Sequence, residues 1–166
     1  MGSKTRYADA MLNFEFHGMS FGGSEDDIEE FFSDCAYDKA SSDPKAGIGV
    51  YNVEATGVDE AKLWFFSGRL YMVTLIYGAA RVASMGDWTA IADRLVARFG
   101  KANAESSGVF DENENGQFVE LDWYFEEIDR WIKLEVFSHL AAVNFVDGNT
   151  HLAAFNKKKQ AADLGF

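Results

Sequence analysis

Phe118-Val119-Glu120-Leu121-Asp122-Trp123 and Ile132-Lys133-Leu134-Glu135-Val136 both place an apolar side chain at every second position. Successive side chains of a strand point to opposite faces, so this alternation predicts strands with one buried and one wet face. Residues 118–125, 131–137 and 140–146 therefore read as three antiparallel strands. Toward the N-terminus a helix comes next. Trp88, Ile91, Ala92, Leu95, Val96 and Phe99 share a helical face, with Asp87 placed to cap it and Gly100 to end it. Before it, residues 48–55, 62–66 and 70–77 are rich in β-branched and aromatic residues and predict three more antiparallel strands.

The outer segments carry weaker signals. Ser24 ahead of Glu25, Asp26 and Asp27 predicts a helix start, and Ile28, Phe31, Phe32 and Cys35 at i, i+3, i+4 and i+7 predict its buried stripe. Residues 12–17 alternate as a half-buried strand, 38–46 read as a loop around the only proline, Pro44, and 1–11 form a polar segment. The tail, 149–166, ends in a short helix on this reading. The fold class is α+β: one domain over 1–166, with a curved antiparallel sheet and two amphipathic helices packed on one of its faces. The order of one helix and three strands, given twice, suggests a tandem αβββ repeat, in which Phe66-Ser67 match Phe137-Ser138, Leu70 matches Leu140, Val73 Val143, Leu75 Phe145 and Gly78 Gly148.

Phe16-His17-Gly18-Met19-Ser20-Phe21-Gly22-Gly23-Ser24-Glu25-Asp26-Asp27-Ile28, with Leu70-Tyr71-Met72-Val73 much later, resembles a module of uncharacterised bacterial proteins, many of them extracytoplasmic. The element order resembles the tandem repeats of the β-lactamase inhibitor protein family. That resemblance implies a binding module without catalytic residues.

Composition narrows the partners. With 27 acidic against 15 basic residues the net charge is -12, the wrong sign for attraction to phosphate backbones or anionic lipid. Nucleic acid and membrane insertion are therefore excluded as expectations, since no stretch approaches the roughly 20 apolar residues of a spanning helix. Met1 to Ala10 lack the apolar run of a signal peptide, and with Met1-Gly2-Ser3 as the start both cytoplasmic and periplasmic or secreted placements stay open.

Among chemical motifs the sharpest is a twelve-residue calcium-loop pattern beginning at Asp111, with Asp111, Asn113 and Asn115 as oxygen donors, Gly116 at the turn and Asp122 closing it. Calcium is the one cofactor this suggests. The same residues also read as a polar hairpin turn, because Asn115-Gly116 is a strong turn signal. His17, His139 and His151 have no zinc spacing and read as surface residues. Cys35 reads as a core thiol, and no serine sits in a nucleophile elbow. No catalytic residue is assigned.

Aromatic residues make up 15% of the chain. With a three-residue loop at Ser67-Gly68-Arg69, Leu63, Phe65, Tyr71, Val73 and Leu75 share the core face, leaving Trp64, Phe66, Leu70 and Met72 on the other. Exposed, those four would form an apolar patch suited to a protein partner or to self-association. Cover by the tail or by the 38–46 loop, or a two-residue turn that exchanges the faces, are the alternatives. The functional expectation is a non-enzymatic, inhibitor-like interaction module. The rivals are a calcium-stabilised module and a small-ligand or hydrolase pocket between Trp88, Trp123 and Trp131.

Overall fold

The computed structural model describes residues 3–111, 116–138 and 140–162. Helix α1 (Ser3–Leu12) leads into a small hairpin, β1 (Glu15–Phe16) and β2 (Met19–Ser20), then α2 (Ile28–Phe31), β3 (Cys35–Tyr37), β4 (Ile48–Val53), β5 (Glu60–Phe66) and β6 (Arg69–Tyr77). After α3 (Ala79–Ser84) and α4 (Thr89–Phe99) come β7 (Ala104–Asp111), β8 (Gly116–Phe125), β9 (Arg130–Phe137), β10 (Leu140–Asp147) and α5 (Gly148–Ala162). The class is α+β, and eight strands form one antiparallel sheet in the order β3-β4-β5-β6-β10-β9-β8-β7. Each half is thus a four-stranded meander, where three strands per half had been expected. The halves meet at β6 and β10, where Thr74 pairs with Asn144, flanked by Val73 opposite Phe145 and Leu75 opposite Val143.

The β5–β6 hairpin corrects the face assignment. Phe66 pairs with Arg69, so the turn is Ser67-Gly68 alone, both at positive φ (49° and 78°) as a tight hairpin turn requires. Ser138, after Phe137, holds the same conformation at φ 54°. The register then slips between Trp64 and Phe65, whose partners are Met72 and Leu70, leaving Tyr71 as the extra residue of a β-bulge. The bulge sends Leu70 into the main core, 1% exposed, and turns Tyr71 to the opposite face. Leu70 is therefore a core residue and not part of an outer patch.

The main core lies on the face that carries Leu63, Phe65, Val73, Ile132, Leu134 and Val143, covered by α1, α3 and α4. There α4 buries Ile91, Ala92, Leu95 and Phe99 as its periodicity predicts, while Val96 is exposed. Gly100 ends α4 at φ 88°, where a Cβ would sit 2.7 Å from the Tyr7 ring of α1. Trp123, fully buried, donates from Nε1 to the Gly100 carbonyl at 2.7 Å, tying β8 to this helix end.

Three local expectations are corrected. The polar N-terminal segment is helix α1, anchored by the fully buried Met11. The 12–17 strand shrinks to Glu15–Phe16, because His17 and Gly18 turn the chain at positive φ into β2. The helix expected over 24–35 is a short 3-10 turn plus α2. It ends before Phe32, leaves Phe31 39% exposed, and releases Cys35 into edge strand β3 opposite Val53. Ser33 and Asp34 are poor helix formers, and pairing with β4 offers the backbone a better outcome than another turn.

Candidate interaction face

The opposite face of the sheet carries Trp64, Phe66 and Met72 of the expected patch, but not Leu70. Ile48 and Val50 of β4 face Phe66 and Trp64 of β5, and Trp64 faces Met72 of β6. Ala46, Ile48, Val50, Tyr71 and Ala154 form a second, smaller core against which Trp64, Phe66 and Met72 pack half-buried. The cover is α5, which crosses β5, β6, β9, β10 and the turn at Pro44–Ala46. So the tail lies over the expected docking patch, with the small Ala154 as its buried contact, 2% exposed. Its two large apolar residues, Leu152 (60%) and Phe155 (59%), face outward. Gly148 allows the close departure from β10, since a Cβ there would come within 2.6 Å of the Trp131 ring.

Beside α5 runs a polar row across the sheet: Asn52, Lys62, Thr74, Asn144, Lys133 and Asp122 are successive cross-strand partners. Trp64 Nε1 donates to Thr74 Oγ1 at 3.0 Å, and Thr74 Oγ1 donates to Asn144 Oδ1 at 2.6 Å. Lys62 Nζ pairs with Asp38 Oδ2 at 2.8 Å and also reaches Ser41 Oγ. The Lys62 ammonium and the Ser41 hydroxyl hold the Asp38 carboxyl well below the usual carboxylate range.

The half of this face formed by β8, β9 and the hairpin end of β10 is more acidic. Glu120 and Glu135 are direct cross-strand partners, and Asp122 lies on the same face two residues from Glu120. Like charges set opposite one another destabilise a strand pair. Lys133 offsets this in part, 3.5 Å from Glu120 Oε1. Burial, and the hydrogen-bonded Glu120 next to it, push the Asp122 carboxyl above its usual range, with Lys133 opposing. Around these carboxylates Tyr124, Phe137 and Leu140 are exposed, and Phe137 packs on Phe118 with ring centroids 5.1 Å apart.

His151 is the site residue that sequence reasoning missed. It was read as a surface residue, yet it lies half-buried on α5 between Tyr71 and Trp131, with ring centroids 6.0 and 5.4 Å away. Its Nδ1 is buried without a hydrogen-bond partner among the described residues. Desolvation first, then the Lys133 charge, lower its pKa below the ordinary imidazole value. Burial pushes the Tyr71 hydroxyl up to about 12.

The other sequence candidates are dispersed. Of the calcium-loop positions, Asp111 ends β7, Asn113 and Asn115 lie outside the described residues, and Asp122 sits well along β8. Because β8 is extended from Gly116, Asp122 is carried about 20 Å up the strand from the hairpin end rather than folded back beside Asp111. Trp88, Trp123 and Trp131 do not share a pocket: Trp123 is in the main core and Trp131 on the far face of the sheet, under α5. Trp88 instead lines an open cavity of about 530 Å³ with Ala79, Val82, Val136 and Ser138. His17 is a turn residue packed on Phe16 and Phe32, and His139 lies outside the described residues. Among the described residues no helix is long and apolar enough to cross a membrane. Comparison with protein-family models, with curated proteins and with solved structures returned no match.

Proposed function

We propose that this protein is a non-enzymatic interaction module that binds a protein partner through the sheet face opposite α1 and α4. The observation that carries this reading is the Glu120–Glu135 pair, two carboxylates set directly opposite each other among exposed apolar side chains. An arrangement that costs the free chain stability is relieved when a cation enters between the carboxylates. Tyr124, Phe137 and Leu140 add apolar contact area around that charge, the composition of an interface with an apolar centre and a charged margin. The partner chemistry is thus a basic segment with apolar side chains, and the net charge of -12 speeds its encounter.

The test is calorimetric titration with a lysine- and leucine-rich amphipathic peptide. The proposal expects saturable binding that is lost in the double variant Glu120→Gln/Glu135→Gln. Unchanged binding by that variant contradicts it, because the affinity would then come from the acidic surface at large.

A further inference from the structure

The apolar half of the same face is already occupied by the chain itself, and the fit is incomplete. Trp64, Phe66 and Met72 stay half-buried beneath α5, which seats Ala154 fully but holds Leu152 and Phe155 away from the sheet. At the same contact His151 places a buried Nδ1, without a partner among the described residues, between Tyr71 and Trp131. A neutral imidazole tolerates an unpaired nitrogen lone pair there, whereas protonation adds an N–H without an acceptor and a positive charge in a desolvated spot.

We infer that α5 is a releasable cover over the docking face and that His151 is its acid-sensitive latch. The surroundings oppose a second positive charge. Tyr71 meets the ring from β6, and Trp131 and the Lys133 charge from β9. Glu135, farther along β9, faces Glu120. From β10, Asp147 is engaged by the Thr150 hydroxyl at 3.0 Å. Lys62 of β5 is committed to Asp38, and Lys45 beside the buried Ala46 is exposed.

The sign follows from the lowered pKa of the docked imidazole. Above the ordinary histidine value of about 6.5 both docked and released forms are neutral, and the cover is held at full strength. As the pH falls through that value the released form takes up the proton first, so docking weakens. Release swings α5 away at Gly148 and bares Ile48, Val50, Trp64, Phe66, Tyr71 and Met72 to a partner. Only this last step rests on the proposed function.

Amide hydrogen exchange on the full chain tests the cover without any partner, so its outcome is independent of the docking reading. Between about pH 7.5 and about pH 5.5, after correction for intrinsic rates, protection of α5 should fall several-fold while β5, β6, β9 and β10 keep theirs. His151→Phe keeps the ring contacts and should abolish the pH response. Lys133→Gln, which removes the opposing charge, should shrink it. Equal α5 protection at both pH values overturns the inference. So does a loss shared by the whole sheet, or one that persists undiminished in both variants.

Discussion

Thr74 and Asn144 face each other at the seam between the two meanders, and the Thr74 hydroxyl links the Trp64 indole on one side to the Asn144 amide on the other. The hydroxyl both accepts and donates in a buried position, so no apolar replacement serves. Thr74→Val keeps the shape but strands the Trp64 N–H and the Asn144 carbonyl. The expected cost is about 1–3 kcal/mol by urea unfolding, with Thr74→Ser losing much less.

Leu70 belongs to the core because of the bulge at Tyr71, and its truncation is correspondingly a stability lesion. Leu70→Ala should destabilise by about 2–5 kcal/mol, measured by denaturant midpoint. A cost below about 0.5 kcal/mol, typical of an exposed site, would mean that the bulge is absent and Leu70 faces outward.

Asp38 titrates far below an ordinary carboxyl because Lys62 and Ser41 hydrogen-bond its ionised form. A depressed folded pKa contributes stability above the unfolded value of about 3.9, lost as the pH falls through the folded pKa. Carbon-detected NMR should therefore show Asp38 still ionised where other aspartates have protonated. Lys62→Met should move its midpoint up toward the ordinary value.

Glu135 opposes Glu120 across β8 and β9 at a cost to the fold. Glu135→Gln removes one of the two like charges and should raise stability by a few tenths of a kcal/mol, up to about 1 kcal/mol. It should weaken binding of a basic peptide at the same time. Stability gained as binding is lost separates a docking site from a merely solvated face.

How far the sequence was legible depends on where each element gets its order. In β8 and β9 the alternation around Leu121 and Leu134 reports burial directly, and α4 carries its own stripe from Ile91 to Phe99. The bulge was illegible because Leu70, Tyr71, Met72 and Val73 are all apolar, so a one-residue slip leaves no trace in the pattern. The apparent stripe reaching Cys35 misled for a different reason: β3 exists only through its pairing with β4, a contact that no local window contains. The 38–46 loop was read correctly as a loop, but not its role in positioning Asp38 against Lys62. Cover by the tail is one of the alternatives the sequence leaves open, but the place of His151 was hidden, because among its described residues the tail buries only the small Ala154 where a docking helix usually shows a broad apolar face.

The central claim is that one defined sheet face, and not acidity in general, recruits a basic partner. Backbone amide NMR of the full chain titrated with the lysine- and leucine-rich peptide locates the contact directly. The account predicts shifts confined to Glu120, Asp122, Tyr124, Lys133, Glu135 and their neighbours on β8, β9 and β10. Shifts spread over the other acidic surface, such as Asp26, Asp27, Glu29 and Glu30, would contradict it.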